Sequence, residues 1–167
     1  MTHLRILITG GVKSGKSRLA EKLALSIAAT ELPIYLATTE FTEDPELQQR
    51  IGLHQQQRAE RFITIEEGLW LHQKLPKEPR IVLVECLTMW LNNLLHHGHD
   101  EQRAFLELEA LWNSPHQFVL VLNEVGLGIV PVNPLARRFA DLSGRAGQWL
   151  GERCDQVFFC AAGLPLQ

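Results

Sequence analysis

Residues Gly10-Gly11-Val12-Lys13-Ser14-Gly15-Lys16-Ser17 follow the apolar run Leu4-Arg5-Ile6-Leu7-Ile8-Thr9 and precede a helical pattern. The spacing G-x-x-x-x-G-K-[ST] between a strand and a helix is that of a phosphate-cradling turn. Its backbone N–H groups wrap a polyphosphate, so side chains at Gly10 and Gly15 would obstruct it. The helix opening near Lys16 adds unpaired donors and the positive end of its dipole. Lys16 then reaches the β- and γ-phosphates, and the Ser17 hydroxyl ligates a Mg²⁺ bridging them. These residues predict binding of a nucleoside triphosphate.

A second chemical position is Glu85, which ends the apolar run Ile81-Val82-Leu83-Val84. An acid at a buried strand's carboxyl end faces the crevice where open α/β sheets bind ligands. There it can hold Mg²⁺ through water, orient an attacking hydroxyl or hydrogen-bond a ribose; capping the next helix is the structural alternative. A third strand, Val119-Leu120-Val121-Leu122, runs into Asn123-Glu124-Val125-Gly126-Leu127-Gly128-Ile129-Val130-Pro131. So apolar a loop reads equally as a ligand cover or a subunit contact. Arg137, Arg138 and Arg145 on the following helix read as solvated, with phosphate contact as the alternative.

The elements that must position these groups alternate between strand and helix, the pattern of a parallel sheet covered on both faces. Strands are expected at 4–9, 33–37, 62–65, 81–84, 118–122 and 156–161. Helices are expected at 16–29, 44–61, 87–95, 102–112 and 134–154, the last capped by Asn133 with Pro134 in its first turn. The fold class is therefore α/β, a P-loop NTPase-like, mostly parallel sheet with helices on both faces. At 167 residues, with no repeat or dividing linker, one domain spanning 1–167 is expected.

Composition narrows the remaining classes. A net charge of −3 argues against a nucleic-acid-binding face. No apolar run is long enough for a transmembrane segment, and the N-terminus enters a strand without signal-peptide features, so a cytoplasmic location is expected. Cys86, Cys154 and Cys160 form no C-x-x-C pair and read as reduced thiols. The cluster His96-His97-Gly98-His99 lacks the spacing of a metal site and reads as a solvated turn.

Taken in order, Thr9–Arg18, Tyr35-Leu36-Ala37-Thr38-Thr39, Arg50-Ile51-Gly52-Leu53-His54, Glu85-Cys86-Leu87-Thr88 and Asn123–Pro131 resemble the CobU/CobP family. These are bifunctional adenosylcobinamide kinases and adenosylcobinamide-phosphate guanylyltransferases of cobalamin biosynthesis. The closing Ala161–Leu166 is similar too, so the resemblance runs essentially the whole chain. The Asn-Glu-Val-Gly-Leu-Gly stretch and the Arg-Ile-x-x-His element are its most specific parts.

The resemblance implies phosphorylation of adenosylcobinamide by ATP or GTP. Transfer of GMP from GTP to adenosylcobinamide phosphate follows, through a GMP-histidine, to give adenosylcobinamide-GDP. The matching histidine is His54, on the polar helix expected at 44–61. A neutral imidazole is a competent nucleophile near neutral pH, and its phosphoramidate passes GMP onward. The nucleotide-binding positions implied are Gly10, Gly11, Val12, Lys13, Ser14, Gly15, Lys16 and Ser17, then Ala37, Thr38 and Thr39. Gln55, Gln56, Gln57 and Arg58 follow the nucleophile, and Glu66 and Glu85 complete the set, Glu66 reading guanine. Catalysis falls to His54 and Lys16, with Mg²⁺ at Ser17. One cradle implies one site for both reactions. The family also implies a homo-oligomer, with a trimer foremost.

This chain departs from many relatives at Leu53, where some have a histidine, at Gln55, where many have arginine, and at Phe62, where tryptophan is common. An ordinary P-loop kinase would account for Lys16, Ser17 and Glu85 but gives His54 and the Asn123–Pro131 loop no role. A nucleotide-dependent regulator or assembly ATPase is the rival of another class, and would need a partner-stimulated hydrolysis.

Overall fold

The structure is a computed structural model that describes residues 3–40 and 60–167. The strands are β1 (Arg5–Gly10), β2 (Ile34–Ala37), β3 (Ile63–Glu66), β4 (Ile81–Glu85), β5 (Gln117–Asn123), β6 (Gln156–Ala161) and β7 (Leu164–Leu166). The helices are α1 (Lys16–Ala28), α2 (Leu71–Lys74), α3 (Leu87–His96), α4 (Glu101–Trp112) and α5 (Pro134–Gly151). They form one sheet in the order β3-β2-β4-β5-β1-β6-β7, parallel throughout except for the β6–β7 hairpin.

Continuous apolar runs become strands here because both faces are covered, and alternate residues feed two separate cores. Leu7, Leu36, Val82, Val84, Leu120 and Leu122 point to the face packed by α3, α4 and α5, around the wholly buried Trp90. Ile6, Ile8, Tyr35, Leu83, Val119 and Val121 point to the other, against Ala20 and Ala24 of α1. Phe62 closes that second core edge-to-face on Tyr35, with ring centroids 5.6 Å apart.

Three elements differ from expectation. Strand β7 arises because Ala162 (φ 51°) and Gly163 (φ 80°) make a tight hairpin turn of the kind whose twist suits paired strands. The four-residue α2 is too short for a periodic signal; Glu67 Oε1 accepts the Leu69 and Trp70 N–H groups just before it. Helix α5 ends at Gly151 rather than Cys154, closed by Glu152 and Cys154 N–H bonds to Gln148 and Leu150 carbonyls. The helix expected at 44–61 lies almost wholly outside the described residues.

Register assembles one edge of the molecule. Ala37 pairs with both Glu66 and Glu85, so these positions form a row across three neighbouring strand ends. Gly10 pairs with Asn123 and Cys160, bringing the glycine-rich turn to that same carboxyl edge.

Candidate active site

The turn between β1 and α1 adopts backbone geometry open to few side chains. Gly10 has φ 149°, Lys13 φ 56° and Gly15 φ 96°. A Cβ at Gly10 would strike the Cys160 carbonyl oxygen and lie 2.8 Å from Ser14 Oγ; one at Gly15 would lie 3.0 Å from Gly163 Cα. Both glycines are thus demanded by the protein's own packing as well as by any ligand. The C-terminal hairpin holds the turn from outside, with the Gly163 N–H donating to Ser14 O at 3.0 Å. From the sheet side, the Glu124 N–H donates to Gly10 O at 2.9 Å.

Helix α1 has Gly15 at its N-cap position and so no side-chain cap. By contrast, Asp100 caps α4 through the Arg103 N–H, and Asn133 caps α5 through Leu135 and Ala136. The donors at the start of α1 face the crevice without a competing side chain, which suits phosphate oxygens. Lys16 is buried, and its Nζ donates to Gly11 O at 2.9 Å across the turn. Ser17 Oγ donates to Glu85 Oε1 at 2.9 Å, joining α1 to the end of β4. A hydroxyl and a carboxylate meeting beside a phosphate cradle are the hard oxygen donors that Mg²⁺ takes. Among the described residues no cluster of three or more His, Cys, Asp or Glu could hold a metal ion by itself. Ser17 and Glu85 fit Mg²⁺ as oxygen ligands, and would need nucleotide phosphates to complete its shell.

Thr38 lies in the segment expected to contact the nucleotide. It is 0 % exposed and its hydroxyl is spent inside the protein, accepting from the Cys86 N–H at 2.9 Å and donating to Cys86 O at 2.7 Å. Ala37 and Thr39 are half-buried at the β2 end, and Glu66 is exposed on β3. His54, Gln55, Gln56, Gln57 and Arg58 lie outside the described residues.

Burial raises the Cys86 thiol pKa, and the adjoining Glu85 carboxylate raises it further. It remains a thiol and serves as a weak acceptor for Asn123 Nδ2 at 3.4 Å. Burial also raises Cys160, against a lowering by Lys16.

Two side chains behind the crevice were given no role by the sequence, although Thr88 closes the Glu85–Thr88 element. Asn93 of α3 is buried and donates from Nδ2 to Thr38 O at 2.7 Å and Gly68 O at 3.1 Å. Thr88 accepts the Asn123 N–H at 2.6 Å. The available signal was a polar residue on an otherwise apolar helix, Trp90-Leu91-Asn92-Asn93-Leu94. In the histidine cluster, His97 Nε2 lies 3.0 Å from Glu40 Oε1, and His99 packs edge-on against Trp70. Arg145 pairs with both oxygens of Glu101 at 2.6 and 2.8 Å, and Arg137 donates to the carbonyls of Pro131 and Val132. Neither guanidinium serves the crevice.

Residues 6–167 match the family model described as cobinamide kinase / cobinamide phosphate guanyltransferase. The chain belongs to that family. It is 43 % identical over 170 residues to the bifunctional adenosylcobalamin biosynthesis protein CobP of Pseudomonas aeruginosa, covering 98 % of this chain and 96 % of that one. To the bifunctional adenosylcobalamin biosynthesis protein CobU of Escherichia coli it is 37 % identical, over 98 % of this chain and 99 % of the other. Among solved structures, an ATPase from the type III secretion system of pathogenic bacteria aligns with TM-score 0.50 and 15 % identity. That alignment covers 94 % of this chain but about half, 51 %, of the ATPase, and it bears on the fold alone. A member of the cobinamide kinase / guanyltransferase family is an enzyme of phosphoryl and nucleotidyl transfer, and the fold is that of a P-loop NTPase. Among the described residues no helix is long and apolar enough to cross a membrane.

Proposed function

We propose that this enzyme phosphorylates adenosylcobinamide with ATP or GTP. It then moves GMP from GTP onto adenosylcobinamide phosphate by way of His54, both reactions using the cradle of residues 10–17. The observation that carries the reading is the junction of Ser17 Oγ and Glu85 Oε1 at 2.9 Å beside buried Lys16, in a chain matching the family over residues 6–167.

In the kinase step the turn's N–H groups and Lys16 hold the β- and γ-phosphates, and the substrate hydroxyl attacks the γ-phosphorus as the β–γ bridging bond breaks. Ser17 and Glu85 would hold Mg²⁺, which would supply charge neutralisation at the phosphate oxygens. In the second reaction an imidazole nitrogen of His54 attacks the α-phosphorus of GTP, and the α–β bridging bond breaks to release pyrophosphate. The phosphate of adenosylcobinamide phosphate then attacks the same phosphorus, breaking the P–N bond and regenerating the imidazole. Glu66, Ala37 and Glu85 form a row on adjacent strands, a platform suited to the nucleoside, with Glu66 as acceptor for guanine N1–H and N2–H₂. Gln55 through Arg58 would flank the nucleophile.

We also propose a homo-oligomer, a trimer foremost. Leu127, Ile129, Val130 and Val132 stand exposed in one loop, Ile129 at 97 %, a concentration of apolar surface that a second copy would cover. A cytoplasmic setting fits three free cysteines.

An ordinary kinase leaves His54 idle, so one experiment separates the readings. Intact-protein mass spectrometry after mixing with Mg²⁺ and GTP should show an acid-labile, base-stable GMP adduct that His54→Ala abolishes. An adduct that survives in the alanine variant, or none in the parent, defeats the two-step route.

A further inference from the structure

We infer that Thr38 is a positioning residue for phosphoryl transfer, which holds the peptide joining Glu85 to Cys86 and through it aims the carboxylate that receives Ser17. The inference rests on the proposed role of Ser17 and Glu85 at the metal and phosphate end of the nucleotide.

Strands β2 and β4 run side by side until Ala37 pairs with Glu85. Beyond that rung the chains part, and the next backbone polar groups need other partners. Thr38 supplies partners to three of them on the β4 side, the Cys86 carbonyl also accepting the Trp90 N–H at 3.2 Å. Its N–H donates to Glu85 O at 3.2 Å. Its hydroxyl oxygen accepts the Cys86 N–H at 2.9 Å, and its hydroxyl hydrogen goes to Cys86 O at 2.7 Å. One residue thus holds both polar groups of the peptide that follows Glu85, and the next carbonyl as well. Thr38 is 0 % exposed, so no bulk water substitutes for these bonds.

Thr38 is itself fixed. Asn93 Nδ2 donates to its carbonyl at 2.7 Å and to Gly68 O at 3.1 Å, tying β2 to α3. With the Glu85 peptide held from β2, the Glu85 side chain leaves a fixed backbone, and its Oε1 meets Ser17 Oγ at 2.9 Å. A pair of oxygen donors that must share one small, geometrically strict cation loses affinity when either drifts. The hydroxyl must donate and accept together. Serine can do both, a thiol does both weakly, and valine does neither.

The test uses the full chain with ATP and adenosylcobinamide, titrating Mg²⁺ in the kinase assay, with ADP binding in EDTA measured separately. Thr38→Val should raise the Mg²⁺ concentration for half-maximal velocity by up to about tenfold, the scale of one lost neutral hydrogen bond. Metal-free ADP binding should be unchanged. Thr38→Ser should restore the parental midpoint, and Thr38→Cys should fall between. A folded valine variant with the parental Mg²⁺ midpoint overturns the inference, as does a fall in velocity that follows melting temperature alone. Where valine does not fold, the cysteine variant decides, and a parental midpoint there is equally fatal. A parent enzyme that never phosphorylates adenosylcobinamide overturns the functional reading instead, a result distinct from a midpoint indifferent to Thr38.

Discussion

Replacing Gly15 by alanine separates a glycine required by geometry from one that only accompanies it. Gly15 sits at φ 96° with ψ 0°, a left-handed conformation that costs an L-residue about 1–2 kcal/mol. Its new Cβ would lie 3.0 Å from Gly163 Cα. Relief requires Gly163 to withdraw, which weakens its N–H bond to Ser14 O, worth about 0.5–1.5 kcal/mol. Against these stands the reduced freedom of the unfolded alanine chain, about 0.4–1 kcal/mol in the variant's favour. The net expectation is a loss of about 2 kcal/mol in urea unfolding, together with weaker ATP binding because the cradle shifts. Gly11 is the control: its φ is not positive and a Cβ there meets nothing within 4 Å. Gly11→Ala should therefore be neutral or stabilising by up to about 1 kcal/mol in the same unfolding assay. Equal stability losses at the two positions, or none at Gly15, would refute the argument from backbone and hairpin contact.

Other expectations follow from single sites. Lys16→Ala should lose kinase activity and GMP-adduct formation together, as one cradle requires; full adduct formation without kinase activity would mean two nucleotide sites. Burial lowers the pKa of His116 below its ordinary value, and its Nδ1 accepts the Arg80 N–H at 3.1 Å, so the folded chain keeps the ring neutral. The unfolded chain binds that proton first. The stability His116 contributes is therefore present above about pH 6.5 and lost as pH falls through the lower folded value. Melting temperatures from pH 8 to 5 should fall more steeply for the parent than for His116→Gln, and parallel curves would exclude this account. Burial, then the Asp155 charge, pushes Cys154 up to about 12, partly offset by Arg5. Its alkylation by iodoacetamide at pH 8 should be far slower in the native chain than in urea, and equal rates would contradict its burial.

Much of the architecture was legible because both local signals and tertiary context point the same way. Strands such as Ile81–Glu85 and Gln117–Asn123 are runs of Val and Leu that only a two-faced sheet can use, and they lie within a residue of expectation. The cradle was legible because a phosphate turn needs glycines and a lysine at set spacing, whatever surrounds them. The partnership of Ser17 with Glu85 was not, since 68 residues separate them and only the strand order brings them together. Thr38 illustrates the opposite case. Its place at a strand end invites a ligand contact, yet the end of the β2–β4 pairing draws its hydroxyl inward to satisfy Cys86. Asn93 went unseen for the same reason, its partners being carbonyls of Thr38 and Gly68 rather than anything near it in sequence.

What the amino-acid order alone determined was the set of parts: a phosphate turn, an acid at a strand end, alternating strands and helices, and the family-like Arg50–His54 element. Those depend on neighbours within a few positions, through φ preference, hydrophobic period and capping. The tertiary structure decided which parts meet. Chain crossovers set the order β3-β2-β4-β5-β1-β6-β7, and that order put Glu66, Ala37 and Glu85 in one row and the C-terminal hairpin against the cradle. Contacts between distant segments depend on how whole layers cover one another, a free-energy choice made by the entire core and written in no single stretch of sequence.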